Sequence, residues 1–264
     1  MKHLIFSDVH GNLFGLKKAL QIGDEHAVDR RWCLGDLVGY NAYPNECVEL
    51  IRTHNIPTVK GNHEALLFNE IGGFGRIAEK AQHSLKITRR ILLAEHGEFL
   101  KSLPFLMFLN PGIQLVHANF RDLTRTINSI EKARNEFQEM KQRGLQIAFF
   151  GHTHRPEIYE ATPDLEHIER ITDWEQLQNY TLKDEYWYLI NPGTVGVARH
   201  GLPYTCLIFD EESRQVMFRS IAFTKSEQEA LQKRNWEVFG GITPRRIPAI
   251  VKEKLRRWYY QYVS

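Results

Sequence analysis

Five short apolar runs in the first 150 residues each end in side chains able to bind a metal ion. Residues 3–7 lead into Asp8-Val9-His10, residues 31–34 into Gly35-Asp36, and residues 56–60 into Gly61-Asn62-His63-Glu64. Residues 113–117 close on His117, and residues 147–150 lead into Gly151-His152-Thr153-His154. A run of that length between turn residues suits a buried strand rather than a helix. The first intervening stretch carries Leu13, Leu16, Leu20 and Ala27 at near-helical spacing behind Asn12, a helix-capping residue. Residues 44–53 form a second predicted helix, with Pro44 in the first turn where proline is tolerated. Strands alternating with helices predict βαβ units and an α/β fold with parallel pairing. In such sheets ligands sit beyond the carboxyl ends of the strands, so the five endings would meet along one edge.

The rest of the chain changes character. Residues 76–102 and 127–143 have helical patterns. Residues 157–160, 186–190, 204–209 and 216–221 look like strands and predict a second, more antiparallel sheet. From residue 225 onward the pattern is helical, broken at Gly240-Gly241 and Pro244, and ends in a basic aromatic helix at 252–262. We therefore expect a domain over residues 1–224 and a helical basic extension over 225–264. That extension holds nine basic and four acidic residues, whereas the whole chain carries a formal charge of only +2. Near neutrality overall makes no case for a nucleic-acid or membrane partner. In the extension, a helix packing its aromatics on its own domain is favoured over a nucleic-acid contact through Arg245, Arg246 and the later basic residues. Cys33, Cys47 and Cys206 are odd in number and widely spaced, which fits neither a disulfide framework nor a CxxC metal site. No apolar run approaches the roughly 20 residues of a membrane span, and the N-terminus lacks a secretory signal pattern. The expected location is the cytoplasm.

Oxygen and imidazole donors without thiolate suit manganese, iron or zinc in a working site rather than a structural zinc. Any single D-x-H or H-x-H is commonly a surface loop; five such pieces, each at a strand end, are not plausibly a coincidence. The order D-x-H, G-D, G-N-H-E, H, G-H-x-H resembles the calcineurin-like metallophosphoesterase superfamily. The stretches GDLVGYNAYPNEC, VKGNHE, FGHTHRPEIY and NPGTVG are similar to its small bacterial and archaeal phosphodiesterase-type branch, over residues 1–222.

The resemblance implies a four-layer α/β/β/α sandwich of two mixed sheets. It also implies two divalent metal ions, manganese foremost, with iron, zinc, nickel or magnesium as alternatives. Asp8, His10 and His154 would hold one ion, Asn62, His117 and His152 the other, with Asp36 bridging both. A hydroxide between the metals would attack phosphorus, and His63 would act as acid or transition-state stabiliser. Glu64 would orient a histidine from behind. The substrate would be a small, nucleotide-like phosphodiester or phosphoanhydride. The phosphoprotein phosphatase branch carries GDxVDRG, whose arginine binds phosphate; here Tyr40 takes that place, and Leu66 takes the slot of a second arginine. A doubly charged monoester would want those guanidinium groups more than a diester does. The segment His117-Ala118-Asn119-Phe120 departs from the branch's usual HG pattern. A dinucleoside polyphosphate hydrolase, a protein phosphatase, a nuclease and a catalytically silent scaffold stay open as alternatives, as does an oligomer. Arg155 and His200 are left without a role.

Overall fold

Along the first strand, side chains alternate between two apolar environments. Leu4 and Phe6 belong to one core cluster and Ile5 to another. Both faces of the sheet are therefore covered, and the alternation sets up a layered molecule. The computed structural model describes residues 1–199 and 201–240. His200 and the expected basic aromatic helix at 252–262, with Arg245 and Arg246, lie outside the described residues.

The chain begins with β1 (Lys2–Phe6), α1 (Leu13–Glu25), β2 (Arg30–Cys33), α2 (Pro44–Thr53) and α3 (Asn62–Leu67). Next come α4 (Glu79–Ile91), α5 (Ala94–Ser102), β3 (Leu106–Asn110), β4 (Ile113–Val116), α6 (Ile130–Arg143) and β5 (Ile147–Phe149). It continues through β6 (Pro156–Ala161), β7 (Ile168–Ile171), α7 (Trp174–Gln178), β8 (Tyr180–Thr181) and β9 (Trp187–Pro192). The last described elements are β10 (Tyr204–Asp210), β11 (Gln215–Ile221) and α8 (Lys225–Phe239). Asn12 caps α1 as its type suggests, its side-chain oxygen accepting from Gly15 N at 3.1 Å.

Two mixed sheets result, in the orders β2-β1-β10-β11-β8 and β3-β4-β5-β9-β6-β7. Three apolar layers hold them. Leu4, Phe6 and Ile208 of the first sheet pack against Leu16, Val48, Ile51 and Leu85 of the helices on its outer face. Ile5, Leu207 and Phe209 meet Leu115, Phe149, Ile158 and Ile190 of the second sheet between the two. Val116, Ala148, Tyr159 and Leu189 pack outward on Ala133, Phe137 and Met140 of α6. The result is the α/β/β/α sandwich.

Two local expectations are corrected. The strands after residue 156 do not build a sheet of their own. Strands β10, β11 and β8 extend the first sheet, with β10 antiparallel to β1, while β6, β7 and β9 extend the second. The run at 56–60 is not a strand either; it contributes an isolated bridge, Cys33 to Thr58. Its pairing with β2 stops at two bonds, Cys33 N donating to Pro57 O at 3.0 Å and Val59 N to Cys33 O at 3.1 Å; Pro57 has no N–H to extend the ladder, and Lys60 N donates to Pro104 O at 2.7 Å. Helix α8 lies against the loop after Asp36: Asn235 Oδ1 accepts from Ala42 N at 2.8 Å, and its Nδ2 donates to Asn41 Oδ1 at 2.9 Å.

Candidate metal centre

The loops after β1, β2, β4 and β5, and the first turn of α3, bring Asp8, His10, Asp36, Asn62, His63, His117, His152 and His154 into one cluster. Ligand atoms of Asp8, His10 and His154 lie within 4.8 Å of one another, as do those of Asp36, His117 and His152, and those of His10, Asp36 and His63. Asn62 joins through its Oδ1, 3.0 Å from His117 Nε2. All but His152 are buried, and His152 is partly exposed.

The backbone is bent to achieve this. Asp8, His10, Asp36, His152 and His154 all have φ between 48° and 67°, in the left-handed region. That conformation costs a non-glycine residue roughly 1–2 kcal/mol, and it clusters where surrounding structure enforces a function. The segment Asn191–Val197 supplies part of that enforcement. Asn191 Nδ2 donates to Gly151 O at 2.8 Å and Thr153 Oγ1 at 2.9 Å, while its Oδ1 accepts from Gly193 N at 2.8 Å. Thr194 Oγ1 donates to Asp8 O at 2.8 Å. Replacing Asn191 with alanine strands buried partners and should cost about 2–3 kcal/mol. A urea-denaturation midpoint unchanged from the parent protein would contradict this.

Hydrogen bonds fix the ring tautomers. Nδ1–H groups of His10, His63, His117 and His154 donate to the carbonyls of Val38 (3.3 Å), Val38 (3.1 Å), Leu34 (2.7 Å) and Val197 (2.6 Å). A carbonyl only accepts, so in the neutral rings each Nε2 keeps a bare lone pair. His152 is the reverse, with Nε2–H donating to Thr124 O at 3.1 Å and Nδ1 left bare.

The consequence is a set of acceptors facing acceptors. His10 Nε2 and His154 Nε2 approach to 3.1 Å. Asp8 Oδ1 is buried and receives no hydrogen bond among the described residues, with His154 Nε2 at 3.3 Å and His10 Nε2 at 3.6 Å. Buried lone pairs crowded without donors are costly unless a cation lies among them. The donor set therefore fits divalent metal ions.

Charge is redistributed accordingly. Burial alone would raise the Asp8 and Asp36 carboxyls, but the surrounding imidazoles outweigh it and hold both well below the usual carboxylate range. Burial opposes a charge on His117, yet the Asp36 and Asp8 carboxylates push that ring up to about 9. His63 falls to about 3, because burial and the neighbouring imidazoles outweigh Asp36, and His152 falls to about 4 by burial and His117. A neutral His63 is an acceptor at Nε2; donating from that atom requires a proton that a neighbouring anion would stabilise.

Glu64 corrects one expectation. It orients no histidine: its carboxylate takes the backbone N–H groups of Asp36 (2.9 Å), Gly61 (2.9 Å) and Val38 (3.2 Å). It thereby ties the start of α3 to the Asp36 loop from inside, and burial together with Asp36 raises it to about 7. Two residues at the mouth were not singled out as participants from the chain. Tyr40 stacks on His63 with ring centroids 5.1 Å apart, and Arg199 donates from Nη2 to the Tyr40 hydroxyl at 3.2 Å. Position 40 was notable only for the arginine it lacks, and nothing in the spacing of Arg199 ties it to the cluster.

The chain belongs to the calcineurin-like phosphoesterase superfamily, whose domain model matches residues 1–214. It is 32% identical over 222 residues to an uncharacterized protein of Methanocaldococcus jannaschii, covering 80% of this chain and 84% of that one. The crystal structure of a metallophosphoesterase from Sphaerobacter thermophilus matches with a TM-score of 0.71 at 30% identity, over 88% of this chain and 93% of that chain. A hypothetical protein from Pyrococcus horikoshii shares the fold, with a TM-score of 0.66 at 18% identity over 90% and 96% of the two chains. Membership makes this chain a phosphoric-ester hydrolase of a divalent-metal-dependent family. No helix among the described residues is long and apolar enough to cross a membrane, and all three cysteines are buried and unpaired.

Proposed function

We propose that the protein hydrolyses phosphodiester or phosphoanhydride bonds of small, nucleotide-like substrates with two divalent cations, manganese foremost. Asp8, His10 and His154 would hold one cation, Asn62, His117 and His152 the other, and Asp36 would touch both. The observation that carries this is the crowd of ligand atoms around Asp8 and Asp36, in which the buried Asp8 Oδ1 receives no hydrogen bond among the described residues. When bound, such a cation pair supplies Lewis acidity at the phosphoryl oxygens and lowers the pKa of a water nucleophile.

The protein's own groups have separable tasks. Asp36 is the carboxylate that approaches both histidine groups, with Oδ2 at 3.7 Å from His10 Nε2 and 3.4 Å from His117 Nε2. Its Oδ1 accepts from the His63 backbone N–H at 2.8 Å, so the bridging group also sets where α3 begins. His63, oriented by its Nδ1–H bond to Val38 O, presents Nε2 for the leaving oxygen or the developing phosphoryl charge. Tyr40 and Leu66 place no positive charge where a phosphomonoester dianion would want two, which favours a singly charged diester. Beyond Thr124, the carbonyl partner of His152, lies a cleft of about 710 Å³ lined by Arg121, Arg125 and Lys132 and by Asp122, Glu136 and Glu139, room for substrate beyond the scissile phosphate. We place the enzyme in the cytoplasm and take residues 1–224 as its catalytic domain, with 225–264 as an extension.

Hydrolysis of bis(p-nitrophenyl) phosphate by the manganese-loaded protein tests this reading. His63→Ala should lower kcat by about a hundredfold or more while metal content stays unchanged. Undiminished turnover would remove His63 from the mechanism; a parent protein that neither binds metal nor turns over would return the scaffold alternative.

A further inference from the structure

The mouth of the cluster carries a guanidinium whose surroundings suit an anion and do not supply one. Arg199 follows Val197 by two residues, and the Val197 carbonyl holds the His154 ring. From there the side chain reaches over Tyr40: its Cζ lies 5.6 Å from the ring centroid and Nη2 donates to the hydroxyl at 3.2 Å. The Tyr40 ring in turn stacks on His63, tilted by 28°, and meets His10 edge-on at 4.8 Å. The Tyr40 ring thus contacts both the guanidinium and the proposed acid. Tyr40 is held in this place with φ at 59°, a conformation a tyrosine rarely adopts without enforcement.

Three features distinguish this arrangement from ordinary packing. Arg199 is partly buried, yet among the described residues it forms no ion pair with a carboxylate. One of its five N–H donors goes to a neutral hydroxyl, and among the described residues its planar fork makes no other hydrogen bond. It also adjoins the cluster, because Tyr40, which it contacts, stacks on His63 and meets His10 edge-on. A cation placed beside imidazoles and proposed metal ions is unfavourable by itself and favourable once an anion sits among them.

We propose that Arg199, held on the face of Tyr40, binds a non-bridging oxygen of the substrate phosphate, and so supplies from the loop after Val197 the positive charge that position 40 lacks. The inference rests on the phosphoesterase reading above and narrows it. One guanidinium matches a singly charged diester, or the phosphate next to the scissile bond of an anhydride, better than a phosphomonoester dianion. Tyr40 is the positioning residue: it fixes the height of the fork above His63.

The test uses the full-length, manganese-loaded chain with Arg199→Met, Arg199→Lys and Tyr40→Phe. Inorganic phosphate binding is measured by calorimetry, alongside kcat and KM for bis(p-nitrophenyl) phosphate and manganese content. Arg199→Met should weaken phosphate binding by about tenfold or more, with manganese content unchanged. Arg199→Lys should lie between, since it keeps the charge and loses the fork, and Tyr40→Phe should change binding less than Arg199→Met does. Equal phosphate affinity in Arg199→Met and an active parent protein would overturn the inference and leave the phosphoesterase reading standing. Parallel loss of manganese and phosphate in both Arg199 variants would make Arg199 structural and overturn it too. A parent protein that neither binds phosphate nor turns over would overturn the phosphoesterase reading itself and this inference with it.

Discussion

Asp36→Asn should reduce kcat/KM for a phosphodiester by more than about a hundredfold and remove at least one manganese equivalent. Partners that merely orient metal ligands cost about 10–100-fold when removed, and Asp36 is placed closer than that. Its Oδ2 faces His10 and His117, one from each proposed ion, while Oδ1 takes the His63 amide. Asparagine keeps an acceptor for that amide, so α3 should still begin in the same place, but the charge that would offset two neighbouring cations is gone. Elemental analysis and circular dichroism separate these effects. A variant with full metal content and parental turnover would show that Asp36 does not bridge.

Gly61→Ala should be nearly as damaging, and for a different reason. The glycine has φ −94° and ψ 173°, which any residue adopts, so the requirement is space. A Cβ there would collide with Oδ1 and the amide N of Asp36 and come within 2.9 Å of its Cγ. The two loops are also stitched by Glu64, which accepts from Gly61 N and Asp36 N together. Relief would require breaking those bonds or moving the carboxylate. We expect a destabilisation at the upper end of the roughly 1–3 kcal/mol typical of overpacking, with manganese affinity falling alongside. A urea midpoint and a manganese titration both matching the parent protein would refute the close approach.

Local chemistry was legible in the chain wherever a few neighbouring residues decide the outcome. Asn12 caps α1 and Pro44 opens α2 because capping oxygens and a fixed φ act within one turn. The apolar runs before Asp8, Asp36, His117 and His152 mark strands because burial on both faces removes the polar alternation. Residues 56–60 misled for the same reason: apolar composition does not register that Pro57 lacks a donor. Strand β3 is an apolar run in the sequence, but its edge position, with Phe108 half-exposed, is set by which strand it pairs with and not by composition.

By itself, the sequence determined an α/β chain and which ligand-type side chains end its strands, because residue type and short spacing carry that information; the phosphoesterase class came from the resemblance of its motifs to a known family. Only the tertiary structure decided that β10 lies beside β1, pairing Lys2 with Asp210, since strand pairing is a long-range choice between equally apolar partners. It also decided that Glu64 serves backbone amides and that Arg199 reaches Tyr40 across 159 positions of chain. Such contacts depend on where loops come to rest after the layers pack, and no local pattern of residues encodes that.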